Sequence, residues 1–459
     1  MTPGRLRLPA DSPVPDLARR IEAAGGRIVV VGGFVRDGLR GTPSHDLDLE
    51  VFGLPEAAID PLLEGFGFSP RVGRQLPIWR RSRDGLDLAY PRSGADAYHP
   101  ERPDSLGPAF RAAARHRDLR INAIGWDPLS DALIDPFDGQ ADLAARRLRA
   151  VDATTFAADP LRLLRVVRLA AVLDAEPDPE LCAICRGLAF ESVAPERVGG
   201  ELRRMLLDPS RPARAFEWLA ALGRLDVLPP IERLVAVAQD PVWHPEGDVF
   251  VHTLMVLDRA HAIAEALDPG EGEILMLAAL CHDLGKPETT TAEEGGRIRS
   301  IAHEAASARH TRDWLSRLRF PERRVQIVAA LVAEHLAPSQ LVAQRSGARA
   351  YRRLARRLAA GGATLVQLER LARADHLGRS TPEALAGHFD AGPIFLAAAE
   401  AAGVALGPRP EVVTAADLID RGIQPGPELG RLLRRCREIE DESGSSDREV
   451  ILARCLRGR

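Results

Sequence analysis

Residues 28–52, IVVVGGFVRDGLRGTPSHDLDLEVF, constrain this chain more than any other stretch. Ile28 to Val31 form a β-branched run, too short for a helix and closed by Gly32-Gly33, which predicts a buried strand. Glycine lets the backbone turn sharply and approach a ligand closely. Phe34 to Leu39 predict a short helix stopped by Gly41 and Pro43. A helix N-terminus behind such a turn offers free N–H groups that suit a phosphate. The next run, His45-Asp-Leu-Asp-Leu-Glu-Val, alternates strictly, as a strand does, so Asp46 and Asp48 share a face. Neighbouring carboxylates repel unless a cation sits between them, which implies a hard, oxygen-binding ion such as Mg²⁺.

The rest of the first third reads as mixed α and β. Residues 14–25 predict an amphipathic helix, and Pro55 to Gly65 another, with Leu62, Leu63 and Phe66 inward. Residues 77–90 predict a hairpin turning at Asp84-Gly85, with Asp87 on the return strand opposite in facing to Leu86 and Leu88. A third carboxylate beside Asp46 and Asp48 would complete a site for two ions about 3.5–4 Å apart. Residues 91–114 are rich in Pro, Gly and Ala and predict a loop. Arg117-Asp-Leu-Arg-Ile-Asn-Ala leads into a strand and a second hairpin near Pro128 to Asp131.

From about residue 153 strand signals nearly vanish and helical periods take over. Pro160 falls in a first helical turn, where proline is tolerated, and Arg162, Arg165 and Arg168 follow along one flank. Further on, His252 lies in an apolar helix over 249–267, and a helix over 273–284 ends in His282-Asp283. Asp375 lies in a third. Side chains from three helices can converge on one metal, and Lys286 can neutralise a substrate phosphate. His303 and His335 sit on further predicted helices, and whether they hold a second metal stays open at this point. His244 and His310 read as local hydrogen-bonding residues.

Several of these motifs resemble known families. GGFVRDGLRG…DLDLEVFG resembles the first motif of class II tRNA nucleotidyltransferases and bacterial poly(A) polymerases, within the superfamily of DNA polymerase β. RDLRINA is similar to the family's RRDFTINA, which implies that Arg117 and Asp118 bind triphosphate and ribose. ADPLRLLR resembles EDxxRxxR, which implies that Asp159 and Arg162 face the incoming base. Gly32, Gly33, Arg36, Arg117 and Arg165 would hold the triphosphate, and Asp46, Asp48 and Asp87 would be catalytic. The order His252…His282-Asp283…Asp375 is similar to the signature of HD-type metal phosphohydrolases, and WHPEGDVFVHTLMVL…LCHDLGK resembles the HD domain fused to some tRNA nucleotidyltransferases. ADLIDRGIQPGPELGRLL, near the end, resembles the family's tail motif.

The resemblance implies an α+β architecture. A polymerase β-like mixed sheet with helices forms the head (1–150), followed by a helical neck (151–235), an all-α HD domain (236–385) and a helical tail (386–459). It implies an enzyme that rebuilds the 3′-CCA end of tRNA from CTP and ATP, with Mg²⁺ in the head and a divalent transition metal in the HD domain. Ala158 stands where the family pattern has Glu, and Leu119-Arg120 where it has Phe-Thr. Poly(A) synthesis or partial end addition therefore remains an alternative. So does an RNA-binding hydrolase with an inactive head.

Composition narrows the partners. Basic and acidic residues are nearly balanced, 61 against 65, so an RNA-binding surface must be a local patch. The five cysteines are scattered, and Cys182-x-x-Cys185 reads as helix packing rather than a zinc site. Neither an N-terminal apolar leader nor an 18-residue apolar span is read, so the expectation is a cytoplasmic protein without a membrane partner. A homodimer is compatible with the residues but required by none. Nearly all basic charge is arginine: Lys286 is the single lysine and Asn122 the single asparagine. A GC-rich coding bias would deplete both, and against it the expectation is that these survivors sit where nothing else works.

Overall fold

The computed structural model describes residues 6–42, 47–69, 77–93, 95–293 and 295–457. Asp46 lies outside the described residues. Contacts divide the chain into two compact units, Met1–Val193 and Ala194–Arg459.

The first unit is built on a six-stranded sheet of order β3-β4-β2-β1-β5-β6. Its strands are β1 (Arg27–Val31), β2 (Asp48–Phe52), β3 (Ile78–Arg81), β4 (Leu86–Ala89), β5 (Gly125–Asp127) and β6 (Ala132–Ile134). β2 and β4 run parallel, with Asp48 opposite Asp87, and the other neighbours are antiparallel. Alternation sorts the side chains between faces. Ile28, Val30, Leu49, Val51, Leu86 and Leu88 share one core with helix Val14–Ala23, while Val29, Val31 and Phe52 pack with Phe110 on the other side. Asp48 pairs with Val31 and Glu50 with Val29, so both acids belong to this second face.

Helix Leu106–Ala114 covers that face and corrects the expected loop over 91–114. Leu106, Ala109, Phe110 and Ala113 are buried at helical spacing. The proline- and glycine-rich lead-in masks this short alanine-rich run, whose helix propensity is high. The helix expected to begin at Pro160 starts two residues later, spanning Arg162–Leu173, and Arg168 is buried rather than on an exposed flank.

The second unit is almost wholly helical. Helices Val249–Ala264, Pro269–Cys281, His303–Arg317, Glu322–Ala333 and Leu365–Leu377 form its centre. The short strands Thr290–Ala292 and Ile298–Ser300 pair as a hairpin that the sequence did not signal. The helical run Glu322–Ala343, of 22 residues, is long and apolar enough by length and composition to cross a membrane, contrary to the reading of the sequence. Its Val325, Val328, Leu331 and Val332 are buried inside the unit, and Glu322, Arg323, Arg324 and Glu334 interrupt it. Cys182 and Cys185 lie on helix Pro179–Arg186, and both are free thiols. Near the end, helices Ala415–Ile419 and Pro427–Ser443 flank the predicted glycine-rich turn.

Two candidate active sites

The first site lies where β1 ends. Gly32 has φ +76°, a conformation that disfavours other residues, and a Cβ there would lie 3.0 Å from Asp48 Oδ2. The turn thus brings bare backbone against the Asp48 carboxylate. Arg117 reaches the same place: its Nη1 would lie 3.7 Å from that Cβ, and its Nη2 donates to Glu50 Oε1 at 2.6 Å. Asp87 is Asp48's neighbour in register, yet it is held by Arg80 through Nε (3.0 Å) and Nη2 (2.7 Å). Adjacent carboxylates fit a hard divalent cation in donor chemistry, and Asp87 would join such a set by releasing Arg80.

A polar relay ties the remaining residues together. Arg36 Nη1 donates to Asn122 Oδ1 at 2.8 Å, and Asn122 Nδ2 donates to Asp118 Oδ1 at 2.9 Å. Asp118 Oδ2 accepts from Arg165 Nε at 2.7 Å. Arg162 donates to the carbonyls of Thr155 and His116 and lies over the Phe156 ring. The Asp159 backbone carbonyl accepts the Arg162 backbone N–H at 3.0 Å. Three segments distant in sequence therefore meet at Asn122 and Asp118. Asp118 is buried, with both oxygens engaged, so it braces Arg165 rather than standing free for a ribose.

This relay sets two expectations for stability. Asn122→Ala leaves Arg36 and Asp118 each short of a partner, at about 1–3 kcal/mol for each group left unsatisfied. Urea denaturation should show that loss, and an unchanged midpoint would contradict the relay. Burial alone would raise the Asp118 pKa, but Arg165 and the Asn122 and Leu119 donors hold it well below its ordinary 3.8. A depressed carboxyl stabilises fully above its unfolded pKa and loses that contribution as pH falls towards its folded one. The wild type should therefore lose more stability between about pH 4 and pH 2 than Asp118→Asn does.

The second site gathers every predicted ligand. His252 Nε2 lies 3.1 Å from Asp375 Oδ1 and 3.3 Å from His282 Nε2. Asp283 Oδ2 lies 3.1 Å from His282 Nε2, and its Oδ1 lies 3.2 Å from His303 Nε2. His303 Nε2 in turn lies 3.3 Å from His335 Nε2. Two ligand groupings, His252/His282/Asp283 and Asp283/His303/His335, thus share one aspartate.

Protonation makes these groupings fit metal. His282, His303 and His335 each direct Nδ1 at a backbone carbonyl three residues earlier, all at 2.8 Å. A carbonyl only accepts, so Nδ1 carries the proton and Nε2 a lone pair. His252 Nδ1 does the same with Glu246 Oε1 at 2.8 Å. With both rings of a pair neutral, Nε2 lone pairs face each other across 3.3 Å, and a shared cation relieves them. Burial pushes His335 down to about 3, keeping it neutral. Burial also lowers His282 and His303, but Asp283 overrides it and draws both up. Both Asp283 oxygens are buried, Oδ2 facing His282 and Oδ1 facing His303. Lys286, expected to face a phosphate, instead pairs with Asp283 Oδ2 at 2.7 Å and donates to Gln239 Oε1 at 2.7 Å.

Comparison with known proteins places this geometry. The poly A polymerase head domain family matches residues 28–149, and the HD domain family matches 249–378. The multifunctional CCA protein of Halorhodospira halophila is 35% identical over 440 residues, covering 89% of this chain and 95% of that one. This chain belongs to the multifunctional CCA protein family. The multifunctional CCA protein of Polaromonas naphthalenivorans is 36% identical over 331 residues, covering 67% of this chain and 74% of its own length. At the level of fold, the Bacillus stearothermophilus CCA-adding enzyme in complex with CTP aligns with TM-score 0.62 at 18% identity, over 97% of this chain and 98% of that one. The Thermotoga maritima CCA-adding enzyme complexed with tRNA aligns with TM-score 0.56 over 96% and 93%. As a family member, the chain is an enzyme with a nucleotidyltransferase head and an HD domain, both of metal-dependent kinds.

Sequence reading missed three residues of these multifunctional CCA sites. Glu50 shares the face of Asp48, and the same alternation that paired Asp46 with Asp48 also reaches it. Glu246 has an enclosed side chain, accepting from His252 and His244 through Oε1 and from the Ser380 N–H through Oε2. Arg379 is placed one helical turn after Asp375, its Nη2 3.5 Å from Oδ2.

Proposed function

We propose that the protein is a tRNA nucleotidyltransferase that builds or repairs the 3′-CCA end from CTP and ATP, and that its HD domain is a phosphohydrolase acting on RNA ends. The observation that carries the first part is Asp48 facing the Gly32 turn, in register with Asp87 and within reach of Arg117. We assign residues 1–150 to the transferase head, 151–235 to the neck, 236–385 to the HD domain and 386–459 to the tail, in a cytoplasmic protein.

In the head, Asp48 and Asp87, with Asp46, would hold Mg²⁺. When bound, Mg²⁺ lowers the pKa of the RNA 3′-hydroxyl and neutralises phosphate charge. Gly32 and Gly33 leave room for the triphosphate, and Arg36, Arg117 and Arg165 donate to its oxygens. The 3′-oxygen attacks the α-phosphorus in line as pyrophosphate leaves. Asp159 offers an acceptor and Arg162 a fixed donor fork to the base edge. Asp118 fixes Arg165, and contact with a ribose hydroxyl would exchange one of its present bonds.

At the second site, His252, His282, Asp283 and Asp375 would hold one transition metal, and Asp283, His303 and His335 another. Imidazole-rich donor sets suit such ions, which supply hydroxide near neutral pH. The shared Asp283 supports the two-ion reading. Lys286 keeps that carboxylate charged and oriented.

Extension of tRNA lacking its end tests the first part, with CTP and ATP supplied singly and together. Addition of C, then of A only afterwards, is expected. Untemplated A addition to many RNAs would favour poly(A) polymerase, and no incorporation would overturn both.

A further inference from the structure

Glu246 stands behind the second site, on the far side of the His252 ring from the other ligands. Its side chain is 1% exposed, and its ion-pair partners among the described residues are two imidazoles, His244 and His252. Burying a carboxylate costs free energy unless donors and charge compensate it. Donors meet it at both ends. Oε1 accepts from His252 Nδ1 at 2.8 Å and from His244 Nδ1 at 2.9 Å, and Oε2 from the Ser380 N–H at 3.0 Å. Hydrogen bonds thus hold this cluster together without an ion of its own. A glutamine has one acceptor oxygen, so it could satisfy one end and would turn an N–H₂ towards donors at the other. A carboxylate suits all three contacts.

These contacts join two helices that face each other across the site. His252 lies on helix Val249–Ala264, and Ser380 follows helix Leu365–Leu377, which carries Asp375. His252 Nε2 meets Asp375 Oδ1 at 3.1 Å. The helices touch close by: a Cβ on Gly378 would lie 2.4 Å from Val256 Cγ2. Glu246 therefore ties the ring and the carboxylate it faces to one anchor. It also makes the imidazoles unequal. His282, His303 and His335 direct Nδ1 at neutral backbone carbonyls, whereas His252 directs it at an anion. An anionic acceptor raises the basicity of the opposite ring nitrogen and fixes the ring.

We infer that Glu246 is a positioning residue that makes the ion position on His252 the tighter of two, so that the second site loads in order. The position formed by Asp283, His303 and His335 fills afterwards. This inference rests on the two-ion reading of the site. Positive charge on His252 Nε2, felt through the ring, compensates the enclosed carboxylate, whose own partners are imidazoles rather than permanent cations.

The test is calorimetric titration of the full-length protein, stripped by a chelator, with Ni²⁺ and in a separate arm with Mn²⁺. The wild type should take up two ions with dissociation constants about tenfold or more apart. Glu246→Gln should weaken the tighter step by about 10–100-fold and leave the looser one unchanged. Glu246→Asp, which keeps the charge but is one methylene short, should recover part of that loss. His335→Ala should remove the looser step alone. Metal-free melting curves show which variants fold, and if Glu246→Gln does not, Glu246→Asp carries the same comparison against the wild type. Two equal steps in the wild type, equal weakening of both steps in a folded Glu246 variant, or loss of the tighter step in His335→Ala would overturn the ordering. Unchanged binding in a folded Glu246 variant would overturn the positioning role. Uptake of fewer than two ions by the wild type would instead overturn the two-ion reading, and this inference with it.

Discussion

Replacing Asp48 with alanine is expected to lower addition of C and A to tRNA by about 10³-fold or more, the scale of losing a charge-stabilising group in phosphoryl transfer. The carboxylate lies against the Gly32 turn, where a triphosphate and its cation would meet. The fold should survive, because Leu49 and Val51 hold β2 to the core on the opposite face. Wild-type thermal stability with lost extension is therefore the expected pair of readings. Retention of more than about a tenth of the wild-type rate would remove Asp48 from the catalytic centre.

Asp283→Asn should be as damaging at the second site. This carboxylate faces His282 through one oxygen and His303 through the other, and it also holds Lys286. An amide withdraws the shared anion from both ligand groupings. Phosphodiester hydrolysis should fall about 10³-fold, and metal content measured on purified protein should drop. Leaving Lys286 buried without its partner costs about 3–5 kcal/mol, so His335→Ala supplies the gentler control. That variant should release one ion of two and leave the His252 grouping loaded. Full metal retention in Asp283→Asn would disprove the shared-ligand arrangement.

Much of this was legible because local pattern and tertiary position coincide. The β-branched run, the glycine pair and the alternating acids each demand one backbone form, and the described residues show the first two in full and the third from Asp48 onward. The residues expected to hold the second metal were legible by spacing on helices, and the structure brings them together. What escaped depends on contacts between distant segments. Arg36 and Asn122 are 86 residues apart, and nothing near either one announces the bond. Asp118 reads as an exposed acceptor in its motif but is consumed by Arg165, 47 residues on. Helix Leu106–Ala114 escaped for a different reason: alanine gives a weak apolar signal, and its burial becomes visible only when Phe110 meets Phe52.

The pairing of Lys286 with Asp283 and Gln239 gives the protein a chemical reporter of its own. With one lysine in the whole sequence, an amine-selective reagent has a single side chain to modify. That amine is buried and engaged by Asp283 and Gln239, which shields it from such reagents. Labelling followed by mass spectrometry would therefore read the state of the metal cleft directly. Any ligand or substitution that detaches Asp283 from its partner should announce itself as new modification at one known residue.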